Sequence, residues 1–577
     1  MTTNYLEEMG LEDRTIGGHY LTPIVEPSEW LDLPEPPGGD YFVGLAAINE
    51  YSTFLSFTVE TNTGVDTVSQ GFTVDWGNGT TTDYTSGTEV QYPYLYSTVG
   101  DYTGLYRQAL VTITPKGDDS LKSLDFNVAP SEPGLHAGHN SPWLKMAISS
   151  NSLTSLSISD INMNIRHRNI EEVQINCPAL TNLDYLFYRC SGLLDIEIIS
   201  GPSPTAIGLF MGCRAMRNIP KNIPWDSIVD ASYLFSGCLN LRGVANLSLL
   251  STTTMAHMLE GCQLITHIQI AAPLATSVEN MCFSLDFDTD YTDENFRLDR
   301  SILQEVDLLD CPNIQIWDKA FTSCKVLSTL RLDVRKGTSF VQFLKDCSDV
   351  VLTEDWEFSE GLDFSSAFDG CAKTLDLPMF TFPKATTFYR TLAGMDILRA
   401  PDWSFPKGVD FREMFKGCVY IREIDYWLPS VTDRNNLGSM AESCFQLQTF
   451  TVDSPVGMPI DLGYVYLDYI PTYGDIQYGQ TFTIKSPMIT KIPPIDFSNL
   501  TEGTITIQNC YELVVMQGTG IATNLYLRNC PLSAEALNNV FSALETVVNK
   551  TITILGCVGA STCDDSIATA KGWIVTK

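Results

Sequence analysis

The sequence predicts a mainly β chain with short helices. A small N-terminal β-sandwich is followed by a long repeat solenoid and a helix-containing C-terminal cap. Three observations carry this. Cysteine recurs on a nearly fixed beat: Cys190, Cys213, Cys238 and Cys262 stand 23, 25 and 24 residues apart, and Cys324, Cys347 and Cys371 follow at 23 and 24. The beat reaches Cys418 and Cys444 after one replacement, Met395 in the frame TLAGM. A period of about 20–30 residues is the mark of stacked coils. Before the array, short alternating runs sit between Gly, Asn and Asp turns, as in YFVGLAAI, STFLSFTVE and QALVTITPKG, which is the pattern of an antiparallel sandwich. After it, PLSAEALNNVFSALETVV carries apolar residues at helical spacing.

Bulk composition narrows the functions. At 577 residues the chain exceeds one compact core, so several domains or an elongated array is expected. The net charge of −34 repels phosphate backbones and anionic lipid, so no nucleic-acid partner is expected. No uninterrupted apolar stretch reaches the length of a membrane-spanning helix, so no membrane insertion is expected. The acidic start MTTNYLEEMGLEDR has no apolar core and is not read as a secretory signal.

Residues 1–40 read as an extended docking arm, with Trp30 and Leu31 as its candidate anchor; the alternative is that Trp30 packs on the following domain. Residues 41–115 read as the sandwich. In it, Asp75-Trp76-Gly77-Asn78-Gly79 ends a strand in a tight turn, and Trp76 is expected in the core. This strand, the following TTTDYTSG and the later Tyr96 and Val99-Gly100-Asp101-Tyr102 resemble the polycystic-kidney-disease (PKD) type of immunoglobulin-like domain, with Asn78 where that family has Asp. Residues 116–143 read as a linker. Its His136 and His139 lack a third ligand and a helix, so no metal is expected there.

Residues 144–577 form the array, with the cap at about 531–577. The cysteines fall into two classes. One follows an aromatic, Leu or Met residue in frames such as YLFSGC and EMFKGC, and is expected beneath a short helix or turn: Cys190, Cys213, Cys238, Cys262, Cys324, Cys347, Cys371, Cys418 and Cys444. The other ends an alternating strand: Cys177, Cys311, Cys510, Cys530 and Cys557. Both are expected as buried free thiols that fill the core; Cys557 and Cys563 are the one local pair close enough in sequence for a disulfide. The frames LFSGCLNLRGV, AFDGCAKTLDL, MFKGCVYIREI and AFTSCKVLSTL resemble the BspA-like leucine-rich-repeat family. That resemblance implies a surface-adhesion role and a solenoid that binds along a face.

Two insertions break the beat. DFDTDYTDENFRLDR opens with Asp286, Asp288 and Asp290 but has Tyr291 and Arg297 where a calcium loop needs Gly and an acid, so it reads as a solvated acidic loop. GYVYLDYIPTYGDIQYGQ gathers Tyr464, Tyr466, Tyr469, Tyr473 and Tyr478, a candidate partner-binding cluster. In the cap, Ser533 is the expected N-cap, and Leu537, Val540, Phe541, Leu544 and Val548 form the buried stripe.

No phosphate loop, nucleophile elbow or metal-binding helix is present, so catalysis and cofactors are not expected. An external type of architecture without an export signal points to a phage virion appendage such as a fibre. On that reading the arm docks to other virion proteins, the solenoid meets a host protein or glycan, and the particle carries a homo-oligomer. A BspA-like cell-surface adhesin and a cytoplasmic interaction scaffold are the alternatives.

Overall fold

The computed structural model describes residues 15–16, 19–20, 30–34, 39–49, 53–62, 70–103, 106–129, 139–159, 165–202, 204–221, 223–283, 301–352, 356–371, 377–455, 461–464, 482–500 and 502–577. Two compact units divide the chain. One holds Met1–Ile314 with Thr329–Asp333; the other holds Gln315–Ser328 with Val334–Lys577.

The first unit opens with strands β1 (Tyr41–Ile48), β2 (Thr53–Thr61), β3 (Phe72–Asp75), β4 (Thr81–Tyr84), β5 (Glu89–Tyr94), β6 (Asp101–Thr103), β7 (Tyr106–Pro115) and β8 (Leu121–Asp125). These fold as two antiparallel sheets. Each sheet then runs on into the repeats. In the larger sheet, β1 pairs antiparallel with β9 (Trp143–Ser149), and β9 pairs parallel with β11 (Glu172–Asn176), which pairs parallel with β12 (Asp195–Ile199). In the smaller, β8 pairs antiparallel with β2 and parallel with β10 (Ser155–Ser157). The sandwich therefore covers the first coil's open edges, which would otherwise template pairing with another chain. The joint is packed by Phe42, Phe126 and Trp143, with ring centroids 4.8–5.9 Å apart. Gly44 makes this approach possible: a Cβ there would lie 2.5 Å from the Trp143 ring.

The stretch expected as a linker is thus corrected. Residues 116–143 supply β8 to the sandwich and the start of β9 to the shared sheet. His167 pins the joint from the repeat side. Its Nε2 lies 3.1 Å from the Phe126 carbonyl oxygen and its Nδ1 lies 2.8 Å from Ser141 Oγ.

Beyond β12 the first unit forms a parallel ladder of β13 (Arg242–Ser248), β14 (Leu264–Ala271), β15 (Glu305–Leu308) and β16 (Thr329–Leu332). The second unit has β17 (Glu423–Trp427) paired parallel with β18 (Thr449–Asp453). It ends in a parallel sheet ordered β19 (Asp461–Tyr464), β20 (Phe482–Lys485), β21 (Thr504–Gln508), β22 (Asn524–Arg528), β23 (Lys550–Thr553) and β24 (Trp573–Thr576). The chain is mainly β, with a parallel β-solenoid and a helical C-terminal cap.

The cap helix α1 spans Ala534–Ala543, with the Ser533 side chain accepting from the Ala536 N–H. Leu537, Val540 and Phe541 are buried on it, and Leu544 is buried at its C-cap. Lys571 Nζ donates to the Ser542 and Leu544 carbonyls at 2.6 Å each, meeting acceptors left open at the helix end. Val548 departs from the expected stripe. The helix has already ended, and Val548 is 80% exposed.

In the coils that carry the cysteine beat from Cys190 to Cys444, the chain makes a turn where a short helix or turn was expected. Its N–H groups alternate between two destinations. In the coil of Cys238, Leu234, Ser236 and Cys238 donate three residues back to Ala231, Tyr233 and Phe235, while Tyr233, Phe235 and Gly237 donate to Ala256, Met258 and Glu260 of the next coil. Two residues per turn, four apart, adopt positive φ: Tyr233 at 57° and Gly237 at 74°, Glu413 at 57° and Gly417 at 77°. That left-handed step turns every second N–H along the stack and prevents a helix. The second such position immediately precedes the cysteine, so the recurring Gly-Cys pair is backbone geometry in Gly and core chemistry in Cys.

Candidate functional site

The repeated cysteines are core donors. Cys213, Cys238 and Cys262 donate Sγ–H to the carbonyls of Phe187, Phe210 and Phe235, each one coil back, at 3.1–3.2 Å. In the second unit Cys347, Cys371, Cys418 and Cys444 do the same to Phe321, Leu344, Leu392 and Phe415 at 2.9–3.2 Å. The carbonyls of Phe187, Phe210, Phe235, Phe321, Leu344 and Phe415 also accept the N–H three residues ahead in their own coils, as Phe235 does from Cys238 at 3.0 Å. The thiol fills the second acceptor site of a buried oxygen. Burial pushes these thiols up, Cys238 and Cys418 to about 12, and Cys213, Cys262, Cys347 and Cys444 well above the usual thiol range. Cys190 and Cys324 are buried on the same line. All sixteen cysteines are free, including Cys557 and Cys563, and Cys563 Sγ lies 3.3 Å from Asp565 Oδ1. Among the described residues no group of three or more His, Cys, Asp or Glu is placed to hold a metal.

Aromatic ladders run beside the thiols. Phe187, Phe210 and Phe235 stack at 5.5–5.8 Å. In the second unit Phe340, Phe364, Phe388 and Phe411 stack at 5.0–5.8 Å. A second column, Phe358, Phe382 and Phe405, stacks at 5.5–5.9 Å. The columns interlock edge to face, with Phe364–Phe382 at 4.8 Å and 80° and Phe388–Phe405 at 4.6 Å and 69°. Aromatic pairs prefer this arrangement. It replaces regular strands: among the described residues from 356 to 411 the strand-side backbone pairs through isolated bridges such as Glu357–Thr381 and Thr381–Ser404. These ladders were missed from sequence, although Trp356-x-Phe358, Phe380-x-Phe382 and Trp403-x-Phe405, each followed by a Phe six residues after its second ring, repeat at 24 and 23 residues.

With thiols and rings turned inward, polar and charged side chains lie outward on the strand and turn faces. The strand face of the first unit carries polar and charged pairs: Asn246 Nδ2 donates to Gln269 Oε1 at 3.3 Å, and Arg331 lies 3.4 Å from Asp307 and 3.8 Å from Glu305. The turn face of the second unit carries a charge relay. Asp369 meets Arg390 at 3.1 Å, Arg390 meets Glu413 at 2.9 Å, and Lys416 bridges Glu413 and Glu442 at 3.1 and 3.0 Å.

The expected anchor lies on the chain's own sandwich. Trp30 is buried among Leu45, Ala47, Tyr106 and Leu144 on the outer face of the larger sheet. The Leu31 N–H donates to Gln108 Oε1 at 2.7 Å and Asp32 meets Lys145 at 3.4 Å, while the Leu31 side chain is 38% exposed. Residues 30–33 thus strap β1, whose eight residues are all buried. Trp76 is buried, stacked on Tyr92 at 3.9 Å, with its Nε1 donating to Thr82 Oγ1. Tyr464 ends β19; Tyr466, Tyr469, Tyr473 and Tyr478, His136 and the aspartates at 286, 288 and 290 lie outside the described residues.

No family model matches the chain, and no curated protein matches it. Among solved structures it is similar to a leucine-rich repeat protein from Bacteroides ovatus ATCC 8483, at 12% identity over 71% of this chain and 90% of that one, with a TM-score of 0.30. A leucine rich cell surface protein from Faecalibacterium prausnitzii A2-165 matches at 14% identity over 70% and 90%, TM-score 0.24. A TLR13–ssRNA13 complex matches at 11% identity over 76% and 74%, TM-score 0.18. The solenoid is defined by the chain's own registers and turn ladder.

Proposed function

We propose that the chain is a non-enzymatic recognition scaffold whose outward repeat faces meet a protein or glycan partner on a cell surface. The observation that carries this is the division of chemistry between inside and outside. The reactive side chains that recur, the thiols, are neutral core donors, and what repeats outward is a polar and charged relief suited to contact. The BspA-like frames support an adhesin displayed at a cell surface.

A second reading is a phage virion appendage. It is supported by the order of parts: an N-terminal arm, a sandwich of PKD-like pattern strapped by residues 30–33, then the array. On this reading the part of residues 1–40 before the strap docks to other virion proteins and the particle carries a homo-oligomer. Mass spectrometry of purified particles and of washed cell envelopes separates the two settings. Fluorescently labelled protein applied to intact cells tests recognition itself: saturable, competable labelling is expected, and the absence of any would overturn the scaffold reading.

A further inference from the structure

Trp427 is the last residue of β17 and its indole is 60% exposed. The other indoles of the second unit, Trp317, Trp356, Trp403 and Trp573, are buried. β17 alternates strictly, with Ile424 and Tyr426 inward and Glu423, Asp425 and Trp427 outward. Residues two apart on one strand face stand about 6.6 Å apart, so the Asp425 carboxylate flanks the ring. The Asp425 carboxylate has no hydrogen-bond or ion-pair partner among the described residues, and the Glu423 carboxylate has only Arg399, at 3.9 Å.

We propose that this face of β17 binds a basic polypeptide partner, with a Lys or Arg side chain lying over the Trp427 indole and its charge meeting Asp425. The proposal names the partner chemistry of the recognition surface and rests on the scaffold reading. Two independent features ask for the same sign of charge. The face of an indole attracts cations more strongly than any other aromatic side chain, and the neighbouring carboxylate is uncompensated. The net charge of −34 steers cations toward the molecule as a whole. A neutral partner would gain contact with the ring but would desolvate Asp425 without pairing it. A purely apolar partner would need a contiguous apolar patch, and here the outward neighbours are polar: Glu423 and Asp425 on the same strand, and Thr449 and Thr451 on β18.

Trp427 also provides the readout. Its fluorescence, taken as the difference between wild type and Trp427→Phe, is titrated with a hexa-arginine peptide, a hexaglutamine peptide and chitohexaose. A saturable change with hexa-arginine alone is expected. Its Kd should rise about tenfold in Asp425→Asn and further in about 0.5 M salt. Matching melting curves for the variants show that the fold is kept. Hexa-arginine binding that leaves the Trp427 signal unchanged, or that Asp425→Asn does not weaken, would overturn the proposal in favour of general attraction to an acidic surface. A saturable response to chitohexaose would overturn it in favour of a glycan. If the site fails while labelled protein still binds cells, the scaffold reading stands; loss of all cell binding fails that reading instead.

Discussion

Cys238 Sγ donates to the Phe210 carbonyl of the preceding coil at 3.1 Å, while that same oxygen accepts the Cys213 N–H at 3.0 Å. One thiol therefore completes the hydrogen bonding of a buried backbone oxygen and locks two coils in register. Cys190 is equally buried, but its thiol donates to no carbonyl among the described residues. Cys190→Ala then removes volume alone, whereas Cys238→Ala removes volume and a donor. Denaturant unfolding should show Cys238→Ala to be the costlier change by about 1 kcal/mol. Equal losses would mean that the bond contributes nothing net.

The positive-φ step before each cysteine makes opposite predictions for two substitutions. Gly417 has φ 77°, and a Cβ there would meet the Gly394 backbone at 3.8 Å, an ordinary van der Waals contact, so Gly417→Ala should cost about 1 kcal/mol from backbone strain. Ser443 holds the equivalent position at φ 63°. Ser443→Gly relieves that strain and should be neutral or stabilising, by up to about 1 kcal/mol. Thermal melts of the pair check the sign of each.

The interlocked rings of the second unit hold coils that lack regular strands. Phe364 stacks on Phe340 and Phe388 and meets Phe358 and Phe382 edge-on. Phe364→Ala should cost about 3–5 kcal/mol, and hydrogen exchange should show lost protection spreading to the coils on either side. Loss confined to its own coil would contradict a cooperative ladder.

At the joint, burial pushes His167 down to about 4. An unfolded chain takes up this proton near pH 6.5, the folded one only near 4. Its contribution is therefore complete above pH 6.5 and declines as pH falls toward 4, by roughly 3 kcal/mol. Unfolding midpoints from pH 7 to pH 4 should fall more steeply in wild type than in His167→Gln. Parallel curves would place the acid sensitivity elsewhere.

The coil register was legible because Gly and Cys each answer a separate demand at adjacent positions, so the beat survives changes around it. The sandwich was legible in the same way, through alternation between turns. β8 was not: a register shift between Leu121 and Ser123 breaks the period of two in LKSLD, and the stretch reads as a linker. The aromatic columns were hidden because rings took the inward positions that Leu and Ile take in strand-forming coils. Trp30 could be read either as an anchor for another protein or as core. Its cover, Leu45, Ala47, Tyr106 and Leu144, comes from three separate strands that only folding brings together. Trp427 gave no sequence signal, since alternation does not distinguish an outward Trp from an inward one when Tyr426 precedes it.

The most direct test of the account is thiol reactivity with a disulfide-exchange reagent at pH 8, in native and in denatured protein. Buried neutral donors predict that the ladder thiols, Cys213, Cys238, Cys347, Cys371, Cys418 and Cys444, stay unreacted in the native state, and that all sixteen cysteines react once the chain unfolds. Rapid native labelling of those six, or fewer than sixteen thiols in denaturant, would contradict it.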